Sequence, residues 1–290
     1  MAKIRNLKAG DNLLYDNKIT YFLTNKSLLL TSKFIIMSFF KSSNPVLTEK
    51  RFKDTVLDEV VSHENAMTVR GTMNKFGFLF LMVMGTAFYS WKEFADGGKV
   101  MPLILTGAIG GLVVAIVLMF KKEWSSYLAP AYALLEGLFV GGISAYYNFA
   151  FAEQAPNIIM NAVGLTFGTC IAMYLLYSFK IIKVTAKFRA IVLTATAGIA
   201  IFYLITFVLS FFGISVPFLH QSNWMGIGFS IFVVALAALN LILNFDMIET
   251  GAAMGAPKYM EWYSAFGLLV VIVWLYLEIL RLLSLLSGRD

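Results

Sequence analysis

The stretch Asn244–Leu283, NFDMIETGAAMGAPKYMEWYSAFGLLVVIVWLYLEILRLL, decides how this chain is read. It closes one long apolar segment with an acid, Asp246, and crosses a short polar turn. It then opens a second apolar segment that carries Glu278 and Arg281. Ionisable groups in a segment otherwise suited to lipid are costly, which marks each of them as a functional-site candidate. Everything upstream reads as scaffold for this pair of segments.

Composition points the same way. Of 290 residues, 59% are hydrophobic and 14% charged, and the mean hydropathy is +0.76. A soluble domain carries about 25% charged residues. Apolar runs of about 20 residues separated by short polar joints specify a polytopic all-α membrane protein. The single cysteine, Cys170, excludes an intramolecular disulfide and a cysteine-rich metal site, and reads as a small buried hydrophobe. The formal charge is +6, but residues 1–36 hold six Lys/Arg against Asp11 and Asp16, which leaves +2 for the remainder. No domain has the basic stripe that nucleic acid would require.

Residues 1–36 are apolar yet broken by Lys26 and Lys33, with no small-residue cleavage site. They make a poor signal peptide and a poor span, and read as an extension or a mis-called start, with Met37 as the alternative first residue. Residues 37–74 form a polar cytoplasmic segment. Ser43-Asn44-Pro45 has the pattern of a helix start, and an amphipathic helix over 45–61 follows. Seven spans are expected at about 75–91, 101–120, 126–149, 158–179, 190–212, 223–245 and 263–286. Trp91, Trp124, Tyr127, Trp224, Trp262 and Tyr263 fall at span edges, where amphipathic rings favour the headgroup layer. From Met37 onward, thirteen Lys/Arg lie on the side of the N-terminal segment, against Lys92, Lys99, Arg281 and Arg289 on the other. That asymmetry places the N-terminus in the cytoplasm. Gly107/Gly111, Gly137/Gly141 and Gly164/Gly168 recur at four-residue spacing, so spans two, three and four are expected to pack closely.

Within the spans the polar residues are Glu136, Asn161, Asn240, Asn244, Asp246, Glu278 and Arg281. His63 and His220 are the only histidines and lie in different loops. A histidine-rich catalytic zinc site and a serine–histidine nucleophile are therefore disfavoured, and no phosphate-cradling glycine loop or prosthetic cofactor is implied. Glu136 lies roughly 16 Å and Glu278 roughly 22 Å into their spans at the helical rise, while Asp246 is about one turn inside its end. Two carboxylates sharing a low-dielectric site cannot both ionise cheaply, so they titrate as a unit and can sense pH. Carboxylate oxygens are also natural calcium ligands, which makes Asp246 and Glu278 candidates for transient calcium contact. Arg281, one turn after Glu278, is its intrahelical partner and a candidate latch. The bland alternative is that each acid pairs structurally. Asn240 and Asn244 read as interhelical glue on a face distinct from Asp246.

Four motifs carry a resemblance: MTVRGTMNKFGFLFLMVMGTAFYSW (67–91), EGLFVGGIS (136–144), NFDMIE (244–249) and WLYLEILRLL (274–283). Together they resemble the Bax inhibitor-1 family, most closely its bacterial branch, from about Asn44 to the C-terminus. The resemblance implies seven helices with the last one central, and a calcium leak gated by protonation of an aspartate pair on the last two helices. Eukaryotic relatives are cytoprotective, and some bacterial relatives modulate a membrane-anchored AAA protease. The first aspartate carries over to Asp246. The second maps to Glu278 by the LYL-acid motif, or to Val271 by distance from Arg281. The acid that relatives carry in span two is absent, and Glu136 is a candidate substitute. The expectation is a calcium or cation leak in the inner or plasma membrane rather than an enzyme. The alternative is a non-transporting regulator that binds another membrane protein, such as a protease, through 45–61.

Overall fold

A computed structural model describes residues 66–212 and 223–288. The expectations for the N-terminal extension, the amphipathic segment 45–61, His63 and His220 lie outside the described residues. The described chain is helical: α1 Val69–Ala95, α2 Val100–Phe120, a single 3₁₀ turn Lys122–Trp124, α3 Ser125–Ala150, α4 Ile158–Ser178, α5 Ala186–Phe211, α6 Trp224–Ala253 and α7 Met260–Ser287. The helices sit where the apolar runs predict. Six are long and apolar enough to cross a membrane; α1 falls outside that set.

Local chemistry sets several boundaries. Thr68 caps α1 by accepting from Gly71 N at 2.9 Å, Thr185 caps α5 by accepting from Phe188 N at 3.2 Å, and Asn223 caps α6 by accepting from Gly226 N at 2.7 Å. Each satisfies an amide that the first helical turn leaves unpaired. Gly255, at φ +71°, supplies the left-handed residue that ends the α6 approach to α7. The structure corrects the α6 boundary: the helix does not stop at 245 but runs through Ala253, so Asp246 lies two turns inside it. Thr250, Gly251 and the two alanines are tolerated in a helix that neighbours hold in place.

The last helix is surrounded. α7 packs against α1, α3, α4 and α6, and its residues are buried nearly all round. Tyr263, expected at a membrane edge, is fully buried against Phe266, because α7 begins three residues earlier than expected and tucks that ring into the core. Glycines join α1, α2 and α3. A side chain on Gly107 would strike the α3 backbone at Leu135, and one on Gly137 or Gly141 would strike the α1 backbone at Val83 or Ala87. These helices therefore touch main chain to main chain. The third pair departs from expectation: nothing lies within 4 Å of a side chain added at Gly164 or Gly168, so the spacing that packs α2 and α3 leaves α4 open.

Candidate functional site

The two acids singled out by the sequence do not meet. Asp246 is about 10 Å from the C-terminal end of α6 and Glu278 about 27 Å from the N-terminal end of α7, which for antiparallel neighbours separates them by about 16 Å along the axis. Each has found another partner, and both partners belong to α5. Val271, the alternative second position, is a buried apolar residue of α7.

Arg189, in the first turn of α5, donates from Nη2 to Asp246 Oδ2 at 2.5 Å, and both side chains are largely sequestered. Glu249, one turn beyond Asp246 in the NFDMIE motif, accepts from the Tyr177 hydroxyl at the end of α4. Two carboxylates on one face of α6 thus meet an arginine and a tyrosine from the ends of α5 and α4.

Glu278 is buried. The Tyr203 hydroxyl of α5 donates to its Oε1 at 2.7 Å, and Arg281 Nη1 donates to that same hydroxyl at 2.7 Å. Glu278 Oε2 stands 3.6 Å from Arg281 Nη1, an ion pair without a hydrogen bond. The guanidinium also lies over the rings of Tyr203 and Phe229, 5.9 and 5.7 Å from their centroids. Arg281 is therefore the intrahelical partner that the sequence indicates, but a tyrosine of α5 completes the contact.

Between these clusters Asn240 Nδ2 of α6 donates to Thr196 Oγ1 of α5 at 2.8 Å, and Thr196 Oγ1 donates to Val192 O at 2.8 Å. Asn244 donates to Asn240 O at 3.1 Å. Asn240 is interhelical glue, as the sequence indicates. Its face is not separate from that of Asp246 in effect, because the long Arg189 side chain reaches around to bring both residues to α5. Asn161 is exposed on α4.

Glu136 belongs to neither cluster. It lies on α3 one turn after Tyr132 and interacts with it, and its Oε2 would stand 3.4 Å from a side chain added at Gly111 of α2. Tyr132 packs edge-on against Phe266 of α7 at 4.7 Å. Glu136 thus occupies the α2–α3 joint.

Sequence reasoning missed a fully buried acid, Glu261, in the first turn of α7. Its Oε1 accepts from both Thr68 N and Thr68 Oγ1 at 2.9 Å, it pairs with Lys75, and Lys258 Nζ stands 3.4 Å away. Thr68 is the N-cap of α1. In a capping box the glutamate that accepts from the cap residue's own N–H comes from the third position of the same helix. That position here is Gly71, and a side chain on Gly71 would fall on the Glu261 carboxylate. A second helix supplies the acid and glycine makes room for it. Met67 N donates to Ala256 O at 2.6 Å and Ser125 Oγ to Tyr259 O at 2.9 Å, so the starts of α1 and α3 and the α6–α7 turn are tied at one end.

Arg189, Thr196 and Tyr203 also escaped sequence reasoning, although their spacing of seven was a readable signal. Residues seven apart share a helix face. In the sequence Arg189 reads as one more basic residue after the Lys180–Lys187 loop, and the other two are unremarkable in an apolar helix.

Among the described residues, an all-helical fold with six helices fit for a bilayer, and charged pairs held between helices, defines a multi-pass membrane protein. A family model described as Bax inhibitor 1 like matches residues 44–288, and the chain belongs to that family. No curated protein matches it closely enough to show a relationship.

Proposed function

We propose that this protein is a pH-sensitive calcium or cation leak of the cell membrane, of the bacterial branch of its family, with seven spans and the N-terminus in the cytoplasm. What carries the reading is the Arg189–Asp246 pair between α5 and α6. An acid inside a membrane-crossing helix is held by an arginine of the preceding helix, where lipid would otherwise penalise its charge. Asp246 is the gate acid and Arg189 its counter-ion. Protonation of Asp246 removes one partner of the pair and frees α5 from that end of α6. Glu249 and Tyr177 flank the pair. Glu278, held by Tyr203 and latched by Arg281, is the second acid, and Glu136 at the α2–α3 joint is the third candidate. Calcium contacts Asp246 and Glu278 in turn rather than together, and no enzymatic step is assigned.

The test is calcium flux into liposomes containing purified protein across about pH 6 to 8, with wild type beside Asp246→Asn. Wild-type flux should change with pH, and Asp246→Asn, which mimics the protonated acid, should hold one level throughout. An unchanged pH profile and flux in the mutant would remove Asp246 from the gate. No flux above empty liposomes at any pH would favour the other reading, a regulator of another membrane protein, whose partner would then be sought by cross-linking in membranes.

A further inference from the structure

Three positions of α5 that bond to other helices, 189, 196 and 203, lie on one face. At seven-residue spacing the three rungs are about 10 Å apart and together cover about 21 Å, against a hydrocarbon core of about 30 Å. Their chemistry is ordered. Each end is a carboxylate closed by a guanidinium: Asp246 by Arg189, and Glu278 by Arg281 through Tyr203. The middle is neutral, a hydroxyl and an amide, Thr196 and Asn240. Apolar side chains pack in the same interface: Val192 and Ile199 on α5 cluster with Val233, Leu236 and Leu243 on α6. Broad packing of α5 is confined to α6.

A helix that only needed to adhere to α6 would do so through apolar and small residues, because polar bonds between membrane helices contribute little each on average. Polar groups aligned through an apolar layer are instead the usual lining of an ion path. We propose that the α5 seam is the path of the cation, with oxygen ligands at three levels, an arginine-closed carboxylate at either end and Thr196/Asn240 as the neutral middle step. This rests on the leak reading above. It assigns the conducting role to an off-centre seam and leaves the glycine-packed α1–α2–α3 group as static wall.

The test uses full-length protein with Cys170→Ala, so that one introduced thiol is reported. Thr196→Cys, mid-helix on the seam, is compared in liposomes with Ile201→Cys, which is 58% exposed on the outer surface of the same helix. The probe is a cationic, water-borne methanethiosulfonate. Thr196→Cys should react at least ten-fold faster than Ile201→Cys, and its modification should block calcium flux. Asn240→Cys, on the facing helix, repeats the measurement if Thr196→Cys does not fold. Equal, slow labelling at both positions would overturn the path while leaving the leak intact, and so would fast labelling that leaves flux unchanged. Fast labelling in a protein whose parent passes no calcium would remove the leak reading and the path with it.

Discussion

The α1–α2–α3 group and the α5–α6–α7 group hold together by opposite means. In the first, glycines at 107, 137 and 141 let main chains touch, and almost any added atom collides with backbone. In the second, an arginine, a threonine and a tyrosine of α5 reach across to an acid, an amide and an acid. Backbone contact offers a single arrangement, whereas a side-chain bond can exchange its partner for water or an ion. The comparison separates a part packed main chain to main chain from a part bonded through side chains. It also explains why α7, which touches α1, α3, α4 and α6, can be the core of the first while carrying Glu278 to the second.

The sharpest way to break this division is at the junction between the groups. Glu261 is fully buried and paired with the largely covered Lys75, and removing one member of such a pair strands the other. Glu261→Ala is therefore expected to cost about 3–5 kcal/mol, and Glu261→Gln, which keeps an oxygen for the Thr68 donors, distinctly less. Thermal unfolding in detergent reads both. If the two variants lose the same stability, the charge is not what the clamp uses.

Within the first group, Gly141→Val should cost about 1–3 kcal/mol by overpacking against Ala87. Gly164→Val, with the same local sequence pattern on α4, should stay within about 0.5 kcal/mol because nothing stands near it. Equal losses at both sites would dissolve the distinction between α3 and α4. Seam variants should also have small effects on stability. Asn240→Leu and Thr196→Val should each cost about 0.6 kcal/mol, and the double variant should lose little more than either single one. Full additivity in that cycle would mean that the two residues are not partners. The same variants should alter calcium flux far more than stability, whereas those in the first group should do the reverse.

Much of this was readable without coordinates. Among the described residues the helix positions followed from the apolar runs, and Arg281 as the partner of Glu278 followed from a one-turn spacing. The end of α6 did not, because Thr250, Gly251 and Pro257 read as a turn, and packing of α6 against α7 and α4 outweighs their weak propensity. The glycine spacing at 164 and 168 was identical to that at 137 and 141, and only a neighbouring helix distinguishes them. The separation of Asp246 from Glu278 was implicit in the helical rise. What replaced their pairing was hidden, since it depends on which face α5 turns inward. Arg189 carried the least visible information, for it looks like one more basic residue of a loop until Asp246 is seen against it.

The cap on α1 has a consequence for how the protein is made. Thr68 is synthesised early, and the carboxylate that completes its cap arrives 193 residues later. At about 5–20 residues per second the ribosome takes about 10–40 s to supply it. During that interval the first turn of α1 lacks its acid, and the pocket left by Gly71 stands open. Among the described helices, α7 thus docks on α1 last, and a chain released before Glu261 is translated lacks the acid that completes the α1 cap.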